Sequence, residues 1–413
     1  MNDMDFPTPD VDIESVTPAE LKGRIDASED VTLLDARMES DYNEWKINGG
    51  TVESINVPYF NFLDEEVDDD ILAQIPDDRE VTVLCAKGGA SEFVAGSLKE
   101  RGYDVNHLED GMNGWARIYE AVEVERYDGS GTLYQYQRPS SGCLGYLIVD
   151  GDEAAVIDPL RAFTDRYLED AAERRSASPA SQSQQDAKGL DVELKYAIDT
   201  HVHADHISGV RTLAEKGVEG IIPATAVDRG VTYDDEVTRA EDGDEFQVGD
   251  ATIETVYTPG HTSGMTSYLI DGELLATGDG LFVESVARPD LEEGDEGAED
   301  AAKQLYESLQ DRVLTLPDDT LIGGAHFSDS AAPADDGTYT ARIGQLTEDM
   351  AALTMEKAEF VELILSDMPP RPPNYEDIIA TNLGQRDVDD EEAFELELGP
   401  NNCAASQESL AGD

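Results

Sequence analysis

Short apolar runs broken by Gly, Asp and Pro, not long amphipathic stretches, set the rhythm of this chain. VTLLDAR (31–37) and EVTVLCA (80–86) are apolar runs of strand length that end at loops. SEFVAGSLKERG (91–102) has helical spacing and stops at Gly102, DVNHLEDG (104–111) is a further strand, and GMNGWARI (111–118) closes the unit. Such strand–helix alternation predicts a small α/β domain with a parallel sheet. After about residue 123 the pattern changes. GCLGYLIVD (142–150), EAAVIDP (153–159), ATIETVYTP (251–259) and MTSYLIDGELLATGD (265–279) read as strand pairs around tight turns. YAIDTH (196–201) is a strand ending where histidines begin, and ISGVRTLAEKG (207–217) a helix after it. RRSASPASQSQQDAKG (174–189) has little to bury and reads as a surface loop, PDLEEGDEGAED (289–300) as an acidic one. The expected division is a loose lead-in (1–15), an α/β domain (16–122), a second domain (123–383) and a mostly disordered acidic tail (384–413). No internal repeat is visible.

Composition narrows the setting. Among 413 residues, 92 acidic against 28 basic side chains give a formal net charge of −64. The acids are spread over every segment instead of forming a block, and Arg outnumbers Lys about two to one. That spread fits a solvated surface suited to high salt, where screening suppresses self-repulsion, and so a halophilic protein. It argues against nucleic acid and anionic lipid as partners. Cys85, Cys143 and Cys403 are odd in number and far apart, which speaks against a disulfide framework and for a reducing cytoplasm. The N-terminus lacks a basic n-region and an apolar h-region, and no run approaches the roughly 20 apolar residues of a membrane span. A soluble cytoplasmic protein is expected; a homo-oligomer is compatible with the sequence.

Five of the six histidines fall in motifs with metal-ligand spacing. THVHADH (200–206) lies between a strand and a helix; imidazoles on alternate residues can converge on one ion, while Asp205 and His206 turn toward a neighbouring position. TPGHTSG (258–264) makes a tight turn that aims His261 off a strand end. TGDG (277–280) offers Asp279 as a carboxylate able to bridge two ions, and GGAHFSD (323–329) supplies His326. The sixth, His107, is read as an ordinary side chain near a strand end. Convergence of this many ligand types predicts a metal site.

The order and spacing of these motifs resemble the metallo-β-lactamase superfamily over about residues 125–380. That resemblance implies an αββα sandwich with the site at the edge of its two sheets, but fixes neither metal nor reaction. Glyoxalase II-type thioester hydrolases would use two Zn2+ ions, with His203, Asp205, His206 and His326 completing the second site. Persulfide dioxygenases would use one Fe2+, with His201, His261 and Asp279 as ligands and the other four residues as supports. GDGLFVESVARPDLEEG (278–294) is similar to the dioxygenase pattern, with Arg288 and Asp290 in the places of its Arg and Asp. Arg288 is then expected to bind an anionic substrate group. Ala287 departs from the glycine usual there.

The first domain adds its own resemblance. LLDARMESDYNEWKINGGTVESINVPY (33–59) and VLCAKGGASEFVAGSLKERGYDVNHLEDGMNGW (83–115) are similar to a single-domain rhodanese. Cys85 would carry sulfane sulfur in a loop whose backbone N–H groups and following helix stabilise a thiolate. Many rhodaneses place Arg in this loop, where this chain has Ala90 and Ser91. A persulfide-carrying domain joined to a persulfide-oxidising one makes chemical sense, so the favoured function is oxidation of a thiol persulfide by O2 to sulfite. A thioester hydrolase and a non-catalytic sulfur-binding module are the alternatives. Cys143, in a core strand, and Cys403, in the tail, are not site candidates.

Overall fold

The computed structural model describes Phe6, Pro9 and residues 11–64, 66–174, 193–328, 330–366 and 368–405. It separates into two compact units. One runs to Ile118 and includes 138–141 and 398–400; the other comprises 119–137, 142–397 and the chain from Asn401.

The first unit is an α/β domain. Its elements are β1 (Ser15–Val16), α1 (Pro18–Asp26), β2 (Val31–Asp35), β3 (Val52–Asn56), β4 (Val81–Leu84), α2 (Gly89–Glu100), β5 (Val105–Leu108) and α3 (Gly111–Trp115), with two shorter helices and a 3-10 turn between them. The strands form a parallel sheet in the order β1-β5-β4-β2-β3. Alternation along β2 explains its burial on both faces. Val31 and Leu33 pack with Leu21 and Trp115, while Leu34 joins Val83, Val94 and Leu98 on the other side. Helix α1 starts where Thr17 Oγ1 accepts the Glu20 N–H (3.2 Å) and the Glu20 carboxylate accepts the Thr17 N–H (2.9 Å), a reciprocal cap.

The second unit contains two facing sheets. The first comprises β6 (Glu120–Glu123), β7 (Thr132–Arg138), β8 (Cys143–Asp150), β9 (Glu153–Ile157), β10 (Glu193–Ile198), β11 (Glu219–Pro223) and β12 (Thr238–Ala240), ordered β12-β11-β10-β9-β8-β7-β6. The second runs in sequence order through β13 (Glu245–Val248), β14 (Ala251–Tyr257), β15 (Thr266–Ile270), β16 (Leu274–Gly278), β17 (Leu321–Gly324) and β18 (Ala341–Arg342). Tyr146, Ile148, Ile157 and Ile198 of one sheet meet Ile253, Tyr268, Ile270 and Leu274 of the other. The alternate residues point outward. Leu147, Val149 and Val156 lie under α4 (Thr164–Arg174) and α5 (Val210–Glu215); Leu269, Leu275 and Ile322 lie under α6 (Gly294–Ser308) and α7 (Lys357–Ser366). Helix, sheet, sheet, helix is the expected αββα sandwich. Each buried aliphatic side chain contributes roughly 1.5–3 kcal/mol, which makes this double interior the main source of stability.

Three local expectations are corrected. Residues 294–300, read as acidic loop, open α6, because its acids line the solvent face while Ala298, Ala302 and Leu305 are buried. The described part of the tail is not loose. After α8 (Tyr375–Asn382), residues Asp390–Leu396 form α9, in which the apolar pair Ala393 and Phe394 is buried among carboxylates. Beyond it, Ala404 bridges to Ala287, and the Ala405 N–H donates to Val286 O. Phe6 of the lead-in packs edge-on against Tyr59 at 5.2 Å. Residues 175–192, which take in most of the expected Ser/Gln-rich loop, and residues 406–413 lie outside the described residues. Among those described, no helix is long and apolar enough to cross a membrane.

Candidate metal centre

Strand direction brings the donors together. β16 pairs parallel with β17, and β14 reaches β16 through the antiparallel β15, so β14, β16 and β17 all end at one edge. His261 follows β14, Asp279 follows β16 and His326 follows β17. In the facing sheet, His201, His203, Asp205 and His206 follow β10. Two glycines let the turns close. Gly260 has φ +146°, and a Cβ there would sit 2.4 Å from Leu305 Cα; Gly278 has φ +52°, and its Cβ would meet Thr200 Oγ1 at 2.5 Å. Larger residues are excluded at both.

All seven expected donors are buried. His201, His261 and Asp279 form one group whose donor atoms lie within 4.8 Å of one another. His201 Nε2 is 3.6 Å and His261 Nε2 3.4 Å from Asp279 Oδ2. None of these three atoms has a hydrogen-bond partner. Their opposite sides are all engaged: His201 Nδ1 with Thr200 Oγ1 (2.9 Å), His261 Nδ1 with Arg288 O (2.9 Å), Asp279 Oδ1 with His326 Nδ1 (2.7 Å). Orphaned buried polar atoms are costly, and three that converge while their far sides are anchored describe a cation site. Protonation agrees. Burial, with His203 beside it, pushes His201 down to about 3, and burial also lowers His261. Although burial opposes its charge, Asp279 is held well below the usual carboxylate range by His326 and His201. Two neutral imidazoles and a carboxylate are the forms that bind metal. The residues present therefore fit a divalent ion.

Three of the remaining four donors, Asp205, His206 and His326, bond one another, while Asp205 Oδ1, His206 Nε2 and both ring nitrogens of His203 are also buried without a hydrogen-bond partner. Asp205 Oδ2 accepts from His326 Nε2 (2.8 Å) and is within reach of His206 Nδ1 (3.2 Å). His203 has its Nε2 3.2 Å from Asp158 Oδ1. Sequence reasoning missed both remaining cysteines here. The Cys143 thiol donates to Asp205 Oδ2 (3.1 Å), and Cys403 lies within 4.8 Å of donors on Asp205, Asp279 and His326. The signal for Cys143 was strand direction: β8 runs antiparallel to β9, so its first residue emerges at the edge where β9 ends. Nothing in the sequence signalled Cys403, which the C-terminal segment delivers from a distance.

Arg288 is corrected. Expected to meet substrate, it is 1% exposed. Its Nε and Nη2 donate to Asp290 (2.7 and 2.9 Å), and its Nη1 to Pro370 O and Asn402 O (2.8 and 3.0 Å). The guanidinium is a clamp on the C-terminal segment, committed within the protein.

In the first unit, Cys85 follows β4, and the N-terminus of α2 comes next. The Gly88 N–H donates to Cys85 Sγ (3.1 Å); the thiol faces Ser91 Oγ at 3.4 Å, which itself donates to Gly88 O (2.8 Å). Gly111, with φ +53°, is required, since a Cβ there would lie 2.1 Å from Cys85 O. His107 sits on β5.

Comparison with known proteins agrees with this layout. Residues 140–326 match the family model for the metallo-beta-lactamase superfamily, and residues 17–118 that for the rhodanese-like domain. The mitochondrial persulfide dioxygenase ETHE1 of Homo sapiens is 29% identical over 269 residues, covering 63% of this chain and 92% of that protein. Hydroxyacylglutathione hydrolase of Brucella anthropi is 31% identical over 244 residues, covering 53% of this chain and 86% of that protein. A metallo-beta-lactamase structure from Staphylococcus aureus shares the fold, with a TM-score of 0.53 and 23% identity over 63% of this chain and 74% of its own. This chain belongs to the metallo-beta-lactamase superfamily, as an enzyme of that fold joined to a rhodanese-like domain.

Proposed function

We propose that the chain is a persulfide dioxygenase with one iron(II) per chain, coupled to a rhodanese-like domain that carries sulfane sulfur on Cys85. The carrying observation is the convergence of three orphaned atoms on His201, His261 and Asp279, each anchored on its far side. An iron(II) on His201, His261 and Asp279 would supply open coordination positions for O2 and a sulfur ligand. The overall reaction balances as RSSH + O2 + H2O → RSH + SO3(2−) + 2 H+.

The chain's own residues prepare that chemistry. Thr200, the Arg288 carbonyl and His326 fix the orientation of the three ligands, and burial of the whole cluster excludes bulk water. Asp205 balances the imidazoles of His206 and His326. In the first unit, Cys85 Sγ accepts the Gly88 N–H beside the N-terminal end of α2 and can attack the outer sulfur of RSSH, forming the Cys85 persulfide and releasing RSH. Kinship with persulfide dioxygenases supports this reading, as does the rhodanese-like domain, for which a thioester hydrolase has no evident use. The hydrolase reading draws on the complete seven-donor set and on the hydrolase relative. The even acidic surface suits a cytoplasm of high salt. Oxygen uptake with a small-thiol persulfide, in molar KCl, tests the proposal. Persulfide-dependent uptake with sulfite release is expected; brisk thioester cleavage without oxygen consumption would refute it.

A further inference from the structure

Three loops leave the same edge of the parallel sheet in the first unit, those after β2, β3 and β4. They are stitched together beside Cys85. The Ala36 N–H donates to Leu84 O (2.8 Å), the Tyr59 N–H to Ala36 O (2.9 Å), and Asn56 Nδ2 to Arg37 O (3.0 Å). Among the described residues, three large apolar side chains are exposed, Met38 (46%), Phe60 (48%) and Leu63 (54%), and all three lie in the loops after β2 and β3. Phe60 belongs to a 3-10 turn, Tyr59–Phe62, whose Phe62 shares a buried cluster with Cys85 and Ala90. Phe6 extends the apolar surface: its ring is 5.2 Å from Tyr59 and 6.0 Å from Phe93, and a Cβ on Gly89 would lie 3.7 Å from its Cδ2. A chain of net charge −64 thus concentrates its exposed large apolar side chains beside one nucleophilic sulfur.

Charge recognition is poor at the same place. Arg37, the basic residue after β2, is buried; its Nε and Nη2 donate to the Asp35 carboxylate (3.0 and 2.6 Å), and Nη2 also to Trp45 O (2.5 Å). Ser91 Oγ donates to Gly88 O (2.8 Å). Glu39, Asp41 and Asp64, exposed beside the patch in sequence, are acidic. Lys87 is the one basic residue between Cys85 and Ser91.

We propose that Met38, Phe60 and Leu63 seat the organic group of the sulfur donor, so that Cys85 takes sulfane sulfur from persulfides whose organic group is apolar and uncharged. The inference rests on Cys85 as the sulfur carrier and names its donor class. The open area, about half of each of three side chains, is on the order of 300 Å2. A stable protein interface needs about 800 Å2 per partner, so the patch suits one small organic group. In molar salt, charges are screened beyond about 3 Å, which leaves contact burial to select the donor. In the transfer, Cys85 Sγ bonds to the outer sulfur of RSSH, the donor S–S bond breaks, and a proton passes to the departing sulfur: Cys85–SH + RSSH → Cys85–SSH + RSH. No oxidant or reductant is consumed.

The test is the rate at which methyl, propyl and pentyl persulfide, and thiosulfate, place one sulfur on Cys85. It uses the full-length protein in molar KCl and reads the mass of the Cys85 peptide. Each persulfide rate is divided by that of free cysteine with the same donor, which removes the donor's own reactivity. The ratio is expected to rise about two-fold per added methylene, as for a half-buried chain, and thiosulfate to label more slowly than pentyl persulfide. In the triple variant Met38→Ser, Phe60→Ser, Leu63→Ser, whose replaced side chains are exposed, the ratio is expected to become independent of chain length. Phe60→Ser alone is expected to weaken the rise, and it decides should the triple variant fail to fold. A flat ratio in the wild type, a rise that survives in the folded variants, or thiosulfate outpacing pentyl persulfide would overturn the proposal while leaving Cys85 as the carrier. No label on Cys85 from any donor would overturn the carrier reading and this inference with it.

Discussion

Replacing Arg288 by Met separates a buried clamp from a substrate-binding residue. The side chain is inside the protein, with four N–H contacts: two to Asp290 and one each to the carbonyls of Pro370 and Asn402. Breaking a buried ion pair by removing one partner costs about 3–5 kcal/mol. Asp290 keeps a second bond, from Arg371 Nε at 3.0 Å, so the expected loss sits at the low end, about 3 kcal/mol. Arg288→Lys keeps the charge but not the planar fork, and roughly half that loss is expected. The assay is urea unfolding of the loaded protein in molar KCl, followed by the KM for persulfide on the folded fraction. Because the pair is buried, the loss should change little with salt. The same substitution loosens the segment whose carbonyl orients His261, so iron should also be held more weakly. A Met variant within about 0.5 kcal/mol of wild type, the range of ordinary surface substitutions, with a raised KM would refute this reasoning and return Arg288 to the substrate.

Three further outcomes follow from particular atoms. Gly260→Ala forces a Cβ against the Leu305 backbone at 2.4 Å, so the His261 turn must shift; metal analysis should show most of the bound ion lost, and full occupancy would contradict the geometry. Cys143→Ala removes a donor from Asp205 Oδ2, worth about 1.5–3 kcal/mol to a charged acceptor, and should lower the urea midpoint while metal analysis still finds the ion bound. Loss of the ion instead would make Cys143 a ligand. Cys85→Ser should abolish persulfide labelling of the rhodanese-like domain at unchanged metal content; persisting label would place the carrier on another cysteine.

Much of the architecture is legible in the chain, because strands buried on both faces leave apolar runs that nothing else explains. The histidine motifs are equally legible, since each ends a strand at a turn that the alphabet of Gly, Pro and Asp marks. What the sequence hides is which way a donor turns. His203 has the same spacing as its neighbours, yet its Nε2 lies 3.2 Å from Asp158 Oδ1, a residue at the end of β9 that no local pattern links to it. Arg288 looks like an anion ligand until Asp290 and two distant carbonyls are seen around it. The segment that brings Cys403 to the centre reads as solvated tail, because its apolar anchors Ala393 and Phe394 are outnumbered by acids. Long-range contacts of this kind leave no local period.

The account turns on how many ions the centre holds and what they do. Metal analysis and oxygen uptake on the same full-length preparation, loaded with iron(II) in molar KCl and given a thiol persulfide, answer both. The account predicts one iron per chain and one O2 consumed per sulfite formed. Two ions per chain, with thioester cleavage and no oxygen consumed, would contradict it.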